Sequence, residues 1–107
     1  MSCKVIFTDT AKSDLLEIAR GIAELSKDKA LAVRFVRELQ EETTRLEHFP
    51  ESGAVPRDRV LKSSGYRFLV HGDYLLFYLY KKEENAAYVM AVFHGKRDYF
   101  RVMKDFL

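Results

Sequence analysis

Four side chains that can bind an anion or carry a proton lie within six residues of one another, between His94 and Tyr99. Histidine exchanges protons near neutral pH, whereas the guanidinium of Arg97 stays charged and clamps phosphate or carboxylate groups. Lys96 adds a second cation. The cluster therefore predicts a positively charged site for an anionic or acidic partner. In the structural alternative, His94 bonds the loop backbone and Arg97 pairs with a neighbour such as Asp98.

A second basic group lies in residues 50–64, a stretch that holds both prolines and several small polar residues. This composition predicts an irregular, mobile loop that carries Arg57, Arg59 and Lys62 as candidate target-binding residues. Arg67 lies between two aromatic residues near a strand start. It is a further candidate for target binding, with a structural ion pair as the alternative.

Tyr74, Tyr78 and Tyr80 recur at even spacing along one predicted strand, so their side chains share one face of the sheet. The default interpretation is core packing. The alternative is a stacking platform for unpaired bases, because aromatic side chains bind single-stranded nucleic acid in that way.

Hydrophobic periodicity predicts two helices after a short β-favouring run at residues 5–7. Apolar residues three or four apart form one stripe over residues 11–25 and a second over residues 32–46. We expect Asp9 or Thr10 to cap the first helix, and Pro50 to end the second. The short connection predicts an antiparallel helical hairpin.

Three strand-like runs follow, joined by the turn Gly72-Asp73 and by a longer charged turn. They cover roughly residues 65–71, 74–80 and 86–94. The last two runs are apolar on both faces, which indicates central strands covered on both sides. A short C-terminal helix at residues 100–107 is expected to help cover the face of the sheet opposite the helical hairpin. The order predicts an α+β fold in two layers, β-α-α-β-β-β, with the N-terminal helical hairpin packed on an antiparallel-rich sheet.

Length and composition limit the classes of protein. The 107 residues predict a single domain, 1–107, and 48% hydrophobic residues argue against disorder. Residues 1–53 carry 8 Lys or Arg against 10 Asp or Glu, whereas residues 54–107 carry 10 against 6, so the positive charge accompanies the strands. A single cysteine, no membrane-length apolar run and no leader pattern predict a cytoplasmic protein without a disulfide or a membrane partner.

The order of elements, together with several short motifs, resembles the RelE/ParE superfamily of toxins from bacterial type II toxin–antitoxin systems. The resemblance covers nearly the whole chain. Its more specific motifs are Gly65-Tyr66-Arg67, Gly72-Asp73-Tyr74, Phe77-Tyr78 and His94-Gly95-Lys96-Arg97-Asp98.

The superfamily implies two modes of action. RelE-like members cut mRNA on the ribosome by attack of a ribose 2′-OH on the adjacent phosphate, and here His94, Arg97 and Tyr99 would be the catalytic residues. ParE-like members act on DNA gyrase. Cleavers usually carry an arginine after the third-strand tyrosine and a late tyrosine, whereas this chain has Leu75 and Met103 there. The resemblance therefore favours the ParE-like branch.

On this interpretation the target-binding residues are the basic side chains named above together with Lys96 and Arg97. The resemblance implies a cognate antitoxin, with DNA gyrase as target, and a homodimer or a toxin–antitoxin hetero-oligomer. The alternatives are a metal-free endoribonuclease that acts on the ribosome and mRNA, and an inactive antitoxin-binding module. No metal or other cofactor is expected.

Overall fold

The computed structural model describes residues 2–107, which form one four-stranded sheet with helices on both faces. In chain order the elements are β1 (Lys4–Phe7), α1 (Asp9–Ser26), α2 (Lys29–Glu42), a 3-10 turn (Thr43–Glu47), α3 (Arg59–Ser63), β2 (Tyr66–His71), β3 (Tyr74–Lys81), β4 (Ala86–His94), α4 (Tyr99–Met103) and a second 3-10 turn (Lys104–Phe106). The predicted order of strands and helices is confirmed. None of the helices within residues 2–107 has the length and apolar character needed to cross a membrane.

The two long helices form the predicted hairpin, but the first begins earlier than the sequence suggested. Thr8 is the N-cap, because its backbone is extended and its hydroxyl accepts the Ala11 N–H at 3.1 Å. The prediction of Asp9 or Thr10 as the cap is wrong, since both lie inside the helix. Lys27 ends α1 in the left-handed conformation, with φ of 58°. Asp28 then caps α2 by accepting the Leu31 N–H.

The second helix changes form before it reaches Pro50. Its α-helical part ends at Glu42, and the apolar stripe continues through the 3-10 turn, where Leu46 is fully buried. The hydroxyls of Thr43 and Thr44 donate to the carbonyls of Gln40 and Glu41 at 2.6 and 2.7 Å. Local bonds of this kind compete with the regular helical pattern. The prediction of one continuous helix that stops near His48-Phe49 is therefore wrong after Glu42, where the 3-10 turn begins.

The sheet has the order β1-β4-β3-β2. The short β1 pairs in parallel with residues 86–89 of β4, and the other two pairings are antiparallel. Because β1 ends at Phe7, the last residues of β4 pair with β3 on one side and have no strand on the β1 side. The hairpin turn between β2 and β3 uses Gly72, whose φ of 56° suits glycine.

Each face of the sheet carries its own core. The helical hairpin covers one face, where Leu39, Leu69, Leu76, Tyr78 and Val89 are buried. The other face buries residues of α3, β3, β4 and α4, namely Leu61, Phe77, Ala91, Phe93 and Met103. The central strands are thus covered on both sides, as their apolar sequences predicted, and the expected α+β fold with a short C-terminal helix is confirmed.

Residues 50–64 differ from the predicted loop. Ala54 forms an isolated antiparallel bridge with Phe68 of β2, and Asp58 caps the short α3 by accepting two backbone N–H groups at 3.0 Å. Leu61 is fully buried against the second face of the sheet. The prediction of an irregular, mobile loop is wrong for α3, because the burial of one leucine fixes this turn of helix in place.

Candidate functional site

The His94–Arg97 turn is fastened to the tip of the β2–β3 hairpin. The Gly95 N–H donates to the Asp73 carbonyl at 2.7 Å. A Cβ at Gly95 would lie 3.2 Å from that carbonyl oxygen, so a residue without a side chain allows this close approach. The Arg97 N–H donates to the His94 carbonyl at 3.1 Å and closes the turn. The end of β4 therefore presents a fixed turn that carries three basic residues.

The imidazole of His94 takes part in holding this turn. Its Nδ1 accepts the Lys96 N–H at 3.1 Å, which leaves Nε2 as the nitrogen that can carry the proton in the neutral ring. The ring also packs edge-on against Tyr74, with centroids 5.3 Å apart. The structural alternative for His94, a bond to the loop backbone, is what the geometry shows.

Arg97 lies between two grooves and is exposed. Its guanidinium carbon is 5.9 Å from the centre of the Phe93 ring. On one side a groove of about 320 Å³ runs under α1, with an apolar floor that includes Ile18 and Ile22. On the other side a groove of about 470 Å³ lies between α1 and α4, where Arg101 is the second cation. Among residues 2–107, no carboxylate lies within 4.0 Å of either guanidinium, so both charges can serve a partner.

Asp14 of α1 lines both grooves; Glu17 is a further acidic residue of the first groove and Asp105 of the second. Its carboxylate accepts the Val92 N–H at 2.9 Å, on the side of β4 where the pairing with β1 has ended. Burial is the largest influence on this carboxyl and raises its pKa. The bond from Val92 and the charge of Arg97 oppose the rise, and Glu17 adds to it. Asp14 therefore closes the edge of β4 and carries a negative charge that its surroundings disfavour.

Tyr99 lies on the other face of the sheet from His94. Its ring packs against Phe77, with centroids 5.6 Å apart, and its hydroxyl accepts the N–H groups of Arg57 and Asp58 at 3.2 and 3.3 Å. His94 instead packs against Tyr74, which belongs to the core under the helical hairpin. The structure thus places His94 and Arg97 together, and it places the Tyr99 hydroxyl elsewhere.

The same two hydrogen bonds join the basic segments of the chain. They attach the backbone at Arg57 to the start of α4, only two residues beyond Arg97. Arg57, Arg59 and Lys62 are all exposed, and the last two belong to α3. The two basic segments predicted from the sequence are therefore joined through Tyr99. We call the exposed cations Lys96, Arg97 and Arg101 the basic end.

Arg67 has different surroundings from those of the basic end. Its guanidinium donates to the Gly53 carbonyl at 3.1 Å and lies 4.0 Å from the Glu51 carboxylate. Beside it the Tyr78 hydroxyl donates to the Pro50 carbonyl at 2.8 Å and accepts the Gly53 N–H at 2.9 Å. Arg67 and Tyr78 together brace the turn at residues 50–53.

The three tyrosines of β3 pack under the helical hairpin. Tyr78 is fully buried, and Tyr74 and Tyr80 are partly buried against the same core. Burial raises the pKa of Tyr78, and the Gly53 N–H and the Arg67 charge act against that rise. The default interpretation of core packing is confirmed for these rings, and the stacking platform is wrong because Tyr78 has no exposed face.

Two residues of the site were not singled out from the sequence. Arg101 follows Arg97 by four residues, a spacing that places both on one side of a helical segment and could have marked them as a pair. Asp14 gave no such signal, because its partner Val92 is 78 positions away.

Solved structures with a similar fold are toxin–antitoxin systems. The chain is similar to the chromosomal ParDE toxin–antitoxin system from P. aeruginosa, with a TM-score of 0.72 and 18% identity over 87% of this chain and 96% of that one. It is also similar to the RelBE2 toxin–antitoxin complex from Mycobacterium tuberculosis, with a TM-score of 0.60 and 23% identity over 88% of this chain and 99% of that one. At these identities the likeness establishes the shared fold. A comparison with curated proteins found no match.

A match to a sequence family identifies the branch of toxins, which the shared fold alone does not distinguish. Residues 5–99 match the model of the ParE toxin of the type II toxin–antitoxin system parDE. This match covers most of the chain, so the protein belongs to the ParE toxin family. It is a small α+β toxin of the RelE/ParE superfamily, on its ParE-like branch.

Proposed function

We propose that this toxin arrests growth by binding DNA gyrase through its basic end, without cutting RNA, and that a cognate antitoxin neutralises it. The ParE family supports this target through the resemblance described above. A cytoplasmic location and a toxin–antitoxin hetero-oligomer are part of the same proposal.

The observation that carries the proposal is that the two candidate proton-transfer groups, His94 and Tyr99, lie apart, whereas the cations are exposed. Arg97 and Arg101 are exposed cations without a carboxylate within 4.0 Å among the described residues. In contrast, His94 Nδ1 accepts a backbone N–H, and the Tyr99 hydroxyl lies on the other face of the sheet with two N–H groups bound to it. Cleavage of RNA needs a base and an acid at one phosphate. The arrangement therefore favours binding of a large partner over catalysis.

The remaining candidate residues divide according to their contacts. Arg57, Arg59 and Lys62 are exposed, and we propose that they extend the target-binding surface from the basic end along α3. Arg67 is left out of this surface, because its guanidinium bonds the Gly53 carbonyl inside the fold.

Supercoiling of relaxed plasmid by purified gyrase, with increasing amounts of the toxin, tests the proposal. We expect the wild-type protein to inhibit, and the double variant Arg97→Ala, Arg101→Ala to inhibit at least about tenfold less, as for loss of anchoring arginines at an interface. Arg34→Ala is the matched control, because Arg34 is an exposed arginine of α2 that lines neither groove.

Mapping of mRNA ends after induction of the toxin separates the two superfamily activities. In the supercoiling assay, normal gyrase activity at a saturating concentration of the toxin, in cells or in vitro, would contradict gyrase as the target. New cuts in translated mRNA that disappear in an Arg97→Ala variant would identify the endoribonuclease instead. Absence of growth arrest together with intact antitoxin binding would identify an inactive binding module.

A further inference from the structure

The groove that runs under α1 beside Arg97 has a volume of about 320 Å³ and an apolar lining from both walls. Ile18 and Ile22 of α1 form its floor, and Val92 of β4 lines it from the sheet. Leu25, which also lines the groove, is 90% exposed, so the fold of this chain leaves it uncovered. We call this groove the α1–β4 groove.

Gly21 lies inside α1 and lines the same groove. Glycine destabilises the interior of a helix relative to alanine, because it loses more conformational freedom on folding. Gly21 does not have the positive φ that would favour glycine. A Cβ at Gly21 would meet no heavy atom within 4 Å among residues 2–107, apart from its chain neighbours and the backbone of its own helix. The fold of this chain therefore does not require glycine here, and the space above Gly21 is open to a partner.

Gly21 also interrupts an apolar stripe of α1. It follows Ile18 by three positions and precedes Leu25 by four, so the three residues share one side of the helix. The missing side chain leaves a notch in the stripe, and this notch opens into the α1–β4 groove. A few well-buried anchor side chains carry most of the binding energy of a protein interface. A notch in an exposed apolar stripe is suited to receive one such anchor.

The two walls of the α1–β4 groove carry opposite charges. Asp14 and the exposed Glu17 line it from the helix, and His94 and the exposed Arg97 line it from the end of β4. Within residues 2–107, no cationic group lies within 4.0 Å of the Glu17 carboxylate, and no carboxylate lies within 4.0 Å of the Arg97 guanidinium. The complementary partner is an apolar side chain with a carboxylate on the Arg97 side and a cation on the Glu17 side.

The edge of β4 decides how such a partner binds. A partner strand would have to pair with the backbone of β4 beyond the end of β1. The Asp14 carboxylate already accepts the Val92 N–H there at 2.9 Å, and a charged side chain at a strand edge opposes the addition of a strand. A partner that leaves this bond intact contacts the groove through its side chains.

We propose that a large apolar side chain of gyrase inserts into the α1–β4 groove over Gly21, while a carboxylate of the same gyrase segment binds Arg97. This inference rests on the proposed function, which supplies the target. It adds an apolar anchor to the charge contact at the basic end. It also names the chemistry of the recognised segment, an acidic residue next to a large aliphatic or aromatic one. Gly21 is then a specificity-determining residue that acts through the absence of a side chain.

Gly21→Leu in the full-length toxin tests the inference in the supercoiling assay, because the added side chain occupies the notch. Leucine is a better helix former than glycine, so the urea midpoint should not fall. Inhibition of gyrase should weaken at least about tenfold, as for loss of an anchor at an interface. Ser13→Leu is the matched control, since Ser13 is an exposed residue of α1 that lines neither groove beside Arg97. It should inhibit within about twofold of wild type.

Gly21→Ala separates the groove from the fold. The methyl group fills less of the notch, so it should reduce inhibition less than leucine does. It should also raise the urea midpoint, because alanine favours the helix. A lower midpoint for Gly21→Ala would show that the fold itself requires glycine, and it would overturn the inference.

The same assays distinguish failure of this inference from failure of the proposed function. Inhibition by Gly21→Leu equal to that of wild type would overturn the groove assignment and leave gyrase as the proposed target. Normal inhibition by Gly21→Leu, together with loss of rescue by co-expressed antitoxin, would overturn it by assigning the groove to the antitoxin. If the wild-type toxin does not inhibit gyrase, the inference fails together with its premise.

Discussion

Arg67 and Arg97 both lie beside aromatic residues at strand ends of the same sheet, yet their surroundings are opposite. Arg67 donates to the Gly53 carbonyl, next to a fully buried Tyr78 that bonds the same turn. Arg97 is exposed between two grooves, with its guanidinium carbon 5.9 Å from the Phe93 ring. One region uses its polar groups to hold the fold, and the other leaves the charge of Arg97 exposed.

The difference teaches that residue type does not decide the role of a charged side chain. Both arginines were predicted from the sequence as candidates for target binding. The bridge between Ala54 and Phe68 brings the Gly53 carbonyl beside Arg67, whereas within residues 2–107 the guanidinium of Arg97 donates to no carbonyl. The comparison predicts that damage at the Arg67 region appears as lost stability, and damage at the Arg97 region as lost function.

Tyr78→Phe should show the largest effect on stability. It removes the hydroxyl that serves the Pro50 carbonyl and the Gly53 N–H, and it leaves both groups without that partner. We expect the free energy of unfolding to fall by about 2–4 kcal/mol in urea titrations. Tyr88→Phe is the control, since its hydroxyl bonds only the exposed Glu84 and its loss should change little. A Tyr78→Phe variant as stable as wild type would contradict the claim that Tyr78 braces the turn at residues 50–53.

Asp14 provides a second test, since it serves both the fold and the groove beside Arg97. Asp14→Ala leaves the Val92 N–H without its acceptor and should cost about 1–3 kcal/mol of unfolding free energy. Asp14→Asn keeps a carbonyl oxygen there and removes a disfavoured charge. It should be at least as stable as wild type at pH 7.

The pH dependence of that pair follows from the raised pKa of Asp14. The folded state binds its proton more readily than the unfolded state, so this group's contribution to stability falls as pH rises from its ordinary pKa, about 4, through the raised value. The unfolding free energy of Asp14→Asn minus that of wild type should therefore increase from about pH 4 to pH 7. A difference that stays constant or decreases would contradict the burial argument.

Arg67→Ala should lower stability by a smaller amount, about 1–2 kcal/mol, because it removes one charge-assisted bond to the Gly53 carbonyl. Glu51→Ala should change stability by less than about 0.5 kcal/mol, since its carboxylate is exposed and 4.0 Å away. Urea unfolding of the two single variants measures both. Equal losses would mean that the ion pair, and not the carbonyl bond, holds the turn.

Sequence periodicity was sufficient for the long elements and failed where long-range contacts decide. The apolar runs at Tyr74–Tyr80 and Ala87–Phe93 predicted central strands, because residues buried on both faces leave a continuous pattern. In contrast, α3 forms because Leu61 is buried against β3 and β4, and both strands come later in the sequence. The site divided in the same way. The His94–Arg97 cluster is local and was visible in the sequence. The contact that joins the two basic segments was not, because Arg57 and Tyr99 are 42 positions apart.

The most direct test compares Arg97→Ala with Arg67→Ala in parallel, measuring urea unfolding and inhibition of gyrase supercoiling per folded molecule. Arg97→Ala should unfold within about 0.5 kcal/mol of wild type, since an exposed side chain contributes little to stability, and should lose inhibition at least about tenfold. Arg67→Ala should show the reverse, with lower stability and retained inhibition. An Arg97→Ala protein that inhibits gyrase as strongly as wild type would contradict the assignment of the basic end as the target-binding surface.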